Sequence, residues 1–252
     1  MENSCREKYR MSSKKWILAS SYPEFRRNPA LVPANAGLFH YAGNNPVRYI
    51  DPDGREVYFI KGEGVSDEDF KRVQQEADKL SASNTNAGKR YSYLASTKEF
   101  NVTIFVEKKV KDGSHADAVI AEDACNGIGS DSNVYIDLSQ ENKKGDGVKM
   151  SLGEILAHEV SGHAYEINKG RSHVSSSKFS KFIKESYLRG LDEEVAVAMQ
   201  NEYRCYLGLK GQRKKYKGKQ NEWPMPVYDS KSGSWSIKNH FTRKKETWRL
   251  PK

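Results

Sequence analysis

His158-Glu159-Val160-Ser161-Gly162-His163 lies between Leu152-Gly153-Glu154-Ile155-Leu156-Ala157 and Ala164-Tyr165-Glu166-Ile167. The flanks have the apolar spacing of a helix with a buried face. Two imidazoles and a carboxylate in such a helix are costly unless something satisfies them. A divalent metal ion satisfies all three. The spacing makes a sharper demand. Side chains four residues apart on an α-helix fall within ~40° of each other, whereas five residues apart they diverge by ~140°. His158 and His163 are five apart, so one ion can reach both only if the helix absorbs an extra residue. A π-bulge does this by widening one turn. The sequence therefore predicts a bulge between Glu159 and His163, eased by Gly162. The plain structural alternative is a regular helix with two unrelated histidines.

Around this helix the pattern is mixed. Strands are expected at 57–60, 100–106 and 133–138, where β-branched and aromatic residues cluster or alternate. Ser66 with Asp69 opens a helix running to Leu80, with Phe70, Val73, Ala77 and Leu80 on one stripe. Loops are expected at 81–88, 126–132 and 141–147. Ser151, with Glu154 three residues on, forms a capping box for the motif helix, and Gly170 ends it. Two further helices are expected, over 176–187 and from Leu191 to Leu207, the second ended by Gly208. The expected fold class is α+β: a small mixed or antiparallel sheet packed on an active-site helix, followed by a helix rich in acids.

The chain has 252 residues and a net charge of +9, much of it in the run 210–219 and in Arg243-Lys244-Lys245. Such runs bind nucleic acid or anionic lipid, or form a solvated, mobile segment. The second reading is preferred here, and no nucleic-acid partner is expected. The 3 cysteines, Cys5, Cys125 and Cys205, form no C-x-x-C pair, which argues against a disulfide scaffold. No apolar run reaches the ~18–20 residues needed to span a bilayer, so no membrane span is expected. The first fifteen residues lack a signal-peptide core.

The motif helix resembles the zinc-binding helix of zincin metallopeptidases, with one residue more than their H-E-x-x-H. Its form, H-E-x-x-G-H, is similar to that of dipeptidyl-peptidase III. The resemblance implies zinc as cofactor, His158 and His163 as ligands and Glu159 as general base. Gluzincins add a Glu from a downstream helix, often with a small residue three positions later that lets the two helices approach. Glu193 with Ala196 matches this, and Glu194 with Val197 is the second candidate. The alternative for both is an acidic first turn complementing a helix dipole. An electrophile for the oxyanion is also implied. Tyr203 is the first choice, with Arg204, Tyr165 and His173 as others. Asn201 and Glu166 are candidate partners of the ligand histidines. His40, His115 and His240 have no ligand spacing around them and are read as ordinary residues. The strand at 133–138 is the candidate edge for an extended peptide substrate.

A second resemblance lies upstream. Residues 36–54 contain Gly43-Asn44-Asn45-Pro46 and Asp51-Pro52-Asp53-Gly54, two strong turn signals. At this spacing they resemble the end of the core of RHS/YD-repeat proteins, where a variable C-terminal toxin domain follows. The implied organisation is an RHS core remnant or linker over 1–54, weakly ordered. A zincin-like domain follows over 55–209, then a basic extension with aromatic anchors over 210–252. The implied role is a zinc endopeptidase toxin acting on a protein or peptide substrate in a target cell. It would be made in a bacterial cytoplasm, exported by a dedicated secretion system without a signal peptide, and countered by a cognate immunity protein. The alternatives are a nuclease toxin, or a non-catalytic domain whose metal only stabilises the fold.

Overall fold

Alternation of period two builds the main sheet. The computed structural model describes residues 57–145, 147–172, 185–217, 222–238 and 243–250. The RHS-like stretch, His40, His173 and His240 lie outside them, and the described residues all belong to one compact unit. β2 (Val102–Glu107) buries Val102, Ile104 and Val106 while Thr103, Phe105 and Glu107 face the other way. It pairs in parallel with β1 (Val57–Lys61) on one side and with β4 (Ser132–Asp137) on the other. A fourth strand, β3 (His115–Ala118), runs antiparallel to β4 and forms the edge, giving the order β1-β2-β4-β3. The sheet is therefore mixed. The strand expected at the edge, 133–138, is an inner strand. β3 carries His115 and Asp117 among only two alanines, too short and polar for a period-two signal.

One sheet face packs on helices. α1 (Asp67–Ser81) starts at Ser66, whose hydroxyl accepts from the Asp69 amide, and buries Phe70, Val73, Ala77 and Leu80. α2 (Asn86–Ser96) was not expected, because its buried face includes Gly88 and Arg90. Its start is fixed by Thr85, whose hydroxyl accepts from the Gly88 amide. α3 (Leu152–His158) opens on the Ser151–Glu154 capping box. A π-helical segment (Glu159–Ala164) follows, then α4 (Tyr165–Asn168). Gly170, at φ 67°, ends this motif helix. α5 (Glu185–Tyr206) is the ligand helix. It starts earlier than Leu191, and Gly208 at φ 69° follows it. The core joins β1, β2, β4 and α1 to Leu152, Ile155, Leu156 and Val160 of the motif helix and Ala198, Met199 and Tyr203 of α5. A small hairpin, β5 (Lys144–Gly145) with β6 (Val148–Lys149), precedes the motif helix.

The basic tail is tied to this core. Arg204, itself buried, donates to the carbonyls of Lys149, Lys210 and Gly211 at 2.7–3.2 Å and pairs with buried Glu154 at 2.7 Å. Asn201 exchanges hydrogen bonds with the Arg213 backbone and donates to the Pro226 carbonyl. Gln212 does the same for Tyr228. Two small antiparallel sheets follow. The first pairs β7 (Lys215–Lys217) with β8 (Glu222–Pro224). In the second, β10 (Ser234–Lys238) lies between β9 (Val227–Asp229) and β11 (Lys245–Trp248). Trp235 joins the main core and meets the Trp248 ring at 5.9 Å. The 210–217 segment thus runs along the ligand helix, held there by polar side chains buried on that helix.

Candidate metal centre

The helical-phase requirement is met. Residues 159–164 are π-helical, and this wide turn brings His163 back to the side of His158, with ring centroids 5.0 Å apart. Across from them, α5 presents Glu193. Its two carboxylate oxygens lie 3.5 Å from His158 Nε2 and 3.8 Å from His163 Nε2. These three side chains form the one group of His, Cys, Asp or Glu among the described residues that could hold a metal ion. The three side chains line a cleft of about 890 Å³.

Gly162 has a different part from the one its flexibility implied. Its φ is not in the left-handed region. What counts is the missing side chain, since a Cβ there would lie 2.5 Å from Ala196 Cα and 2.7 Å from Ala196 Cβ. Gly162 and Ala196 therefore form the contact where the two helices touch, one turn from Glu193. The small residue three positions after Glu193 serves the close approach expected of it.

The electrostatics suit metal ligation. Burial, followed by the neighbouring charges of His163 and Arg213, holds His158 well below the usual imidazole range. It is thus neutral, the form that binds a cation. Its Nδ1 is buried without a hydrogen bond, as is Glu159 Oε2. The side chain of Gln200 on α5 sits close enough to His158 to favour the protonated ring. His158, His163 and Glu193 bring two imidazole nitrogens and a carboxylate to one point, and that donor set matches catalytic zinc. Glu159 is buried beside the group. Burial raises its carboxyl to about 7; the Glu193 charge adds to this and His163 opposes it.

Other expected residues lie elsewhere. Glu194 accepts from Trp248 Nε1 at 3.2 Å and takes no part in the group. Tyr203 is ten residues past Glu193, about 15 Å along the helix. It is fully buried beside Gly153, and burial raises its hydroxyl to about 12. Tyr203 is therefore a core residue that the structure does not bring to the site. Arg204 is spent on Glu154 and three carbonyls. Asn201 binds the Arg213 and Pro226 backbone, and Glu166 pairs with Arg90 and Arg171, so neither orients a ligand histidine. Tyr165 packs against Tyr93, with the Arg90 guanidinium over its ring.

Three cleft residues escaped sequence reasoning. His115, on the edge strand, stacks on Tyr135 at 4.8 Å and lines the cleft. Arg213 and Tyr216, from the basic run, line it too. Arg213 is near enough for its charge to act on both His158 and Glu159. A basic run reads as solvated unless its anchor is known, and the anchor, Asn201, is twelve residues upstream on α5. Among the described residues no helix is long and apolar enough to cross a membrane. Compared with protein-family models, curated proteins and solved structures, the chain matches none.

Proposed function

We propose that this chain is a zinc-dependent endopeptidase, the toxin tip of an RHS-type protein, hydrolysing peptide bonds in a target cell. The observation that carries the reading is the convergence of His158, His163 and Glu193 from two helices through a π turn, with Glu159 buried beside them. Zinc held by these three residues would supply acidification of water and polarisation of the scissile carbonyl. Glu159 accepts the proton of the attacking water at its carboxylate and delivers it to the departing amine. A carboxyl that lines the cleft beside the three ligands is placed for both transfers. Arg213 brings positive charge to the cleft that the three ligands line, which makes it the candidate to steady the oxyanion. The edge strand β3 borders the cleft and offers its outer backbone to an extended peptide, which makes it the substrate strand in place of 133–138.

A purely structural metal is the weaker reading, since such sites are closed by four protein ligands. Among the described residues three converge, and they line a cleft. The resemblance of residues 36–54 supports the delivery route and a cognate immunity protein. Metal analysis of the purified protein tests the site: about one zinc per chain is expected, and none in His158→Ala. Expression of the chain in a sensitive host tests catalysis. Growth arrest that persists in Glu159→Gln would overturn the peptidase reading.

A further inference from the structure

A π turn is not dictated by Val160-Ser161-Gly162, none of which prefers it, so tertiary contacts must hold it. Arg90, on α2 and far away in sequence, reaches its middle. Its Nη1 donates to the Ser161 carbonyl at 3.2 Å and pairs with Glu166 Oε1 at 2.8 Å. The two groups it bridges are five residues apart, the spacing that defines π-helical pairing and also separates the two ligand histidines. The guanidinium is 8% exposed and lies 4.3 Å from the centre of the Tyr165 ring, on the residue that follows the π segment. Arg171 holds the other oxygen of Glu166 at 2.7 Å, so the carboxylate is fixed from both sides. Burying an arginine is costly without full pairing, and here the pairing spans the one irregular turn of the helix.

We propose that Arg90 is a positioning residue. By clamping Ser161 to Glu166 it locks the π register and so holds His163 on the same side of the helix as His158. The clamp rests on the metal-centre reading for its purpose, though not for its existence.

The test uses the full chain, with zinc affinity measured by competition against a chromophoric chelator and coordination read from the visible bands of the cobalt form. Arg90→Met, and Glu166→Gln as the variant that leaves no cavity, should lower zinc affinity about 10–100-fold and change the cobalt spectrum. Arg90→Lys, which keeps the charge but loses the planar guanidinium that lies over the Tyr165 ring, should recover only part of it. Glu154→Gln, which breaks an equally buried ion pair near the start of the same helix, should leave affinity within about twofold, on the same principle of local action. Amide exchange over 160–166 in metal-free protein should speed up in Arg90→Met and Glu166→Gln and not in Glu154→Gln. Wild-type zinc affinity and unchanged exchange in Arg90→Met would overturn the proposal, as would equal losses in Glu154→Gln. A wild-type protein that binds no metal would sink the metal-centre reading alone, leaving amide exchange to decide the clamp.

Discussion

Replacing Gly162 by alanine separates two explanations of that residue. In a helix interior, alanine is ordinarily favoured over glycine by about 1 kcal/mol. Here the new carbon would stand 2.5 Å from Ala196 Cα and 2.7 Å from its Cβ, against the about 3.5–4.0 Å of a normal carbon contact. The shortfall is about 1 Å. It falls on backbone, which cannot turn aside as a side chain can. Overpacking costs about 1–3 kcal/mol, and a clash against backbone falls in the upper half of that range, so after the propensity gain of about 1 kcal/mol the net loss is roughly 1–2 kcal/mol. For a unit of this size the Tm should fall by about 2–8 °C. The ligand helix must move away by a comparable distance, taking Glu193 from its positions 3.5 and 3.8 Å from the two histidines. Zinc affinity should drop at least tenfold, as for loss of an outer-shell support. Thermal melts and chelator competition measure both. Gly153→Ala is the control, because its Cβ would meet a Tyr203 ring carbon at 2.9 Å and the Glu76 carboxylate at 3.0 Å, away from the site. It should lower stability and leave metal affinity unchanged. A Gly162→Ala protein with raised Tm and unchanged affinity would refute the close-approach argument.

The buried Glu159 carboxyl, raised from 4.5 to about 7, keeps a proton in the folded state that the unfolded chain releases. In metal-free protein this contribution is fully present below pH 4.5 and lost as pH rises through 7, about 3 kcal/mol in all. Urea unfolding at pH 5 and pH 8 should show the decline, and Glu159→Gln should flatten it; an equal slope in both proteins would contradict the assignment. Glu193→Gln should lose most of the bound zinc while Glu194→Gln, whose carboxylate faces Trp248, keeps it. The opposite ranking in metal analysis would exchange their roles. Tyr203→Phe removes a buried hydroxyl that has no hydrogen bond, so stability should hold or rise by about 1 kcal/mol. Toxicity should be unchanged, and its loss would return Tyr203 to the site.

Much of the site could be read from the chain because its demands are local. The Ser151–Glu154 box, the Gly170 stop and the five-residue histidine spacing are consequences of helix geometry. For both histidines to face one point, that spacing requires a π turn. Glu193 is preferred to Glu194 through the resemblance to gluzincins, in which a small residue such as Ala196 lies one turn on from the ligand. The alternating strands 102–107 and 132–137 were legible for the same reason. What tertiary structure alone decided was the partner of each element. β3 is too short for a pattern, so the edge strand emerges only from its pairing with β4. α2 hides its apolar face behind Gly88 and a buried Arg90, whose charge makes sense only once Glu166 and the Ser161 carbonyl are beside it. Tyr203 and Arg204 sit on the same helix as Glu193 but at distances and phases that send them to the core and to the tail. Arg213 reaches the cleft because Asn201, twelve residues earlier, ties its backbone to the ligand helix. The chain alone determined that His158 and His163 can face one point only through a widened turn, since helical phase is a property of residue spacing. Which residues surround that point was decided by long-range packing, because contacts between distant segments leave no period in the sequence.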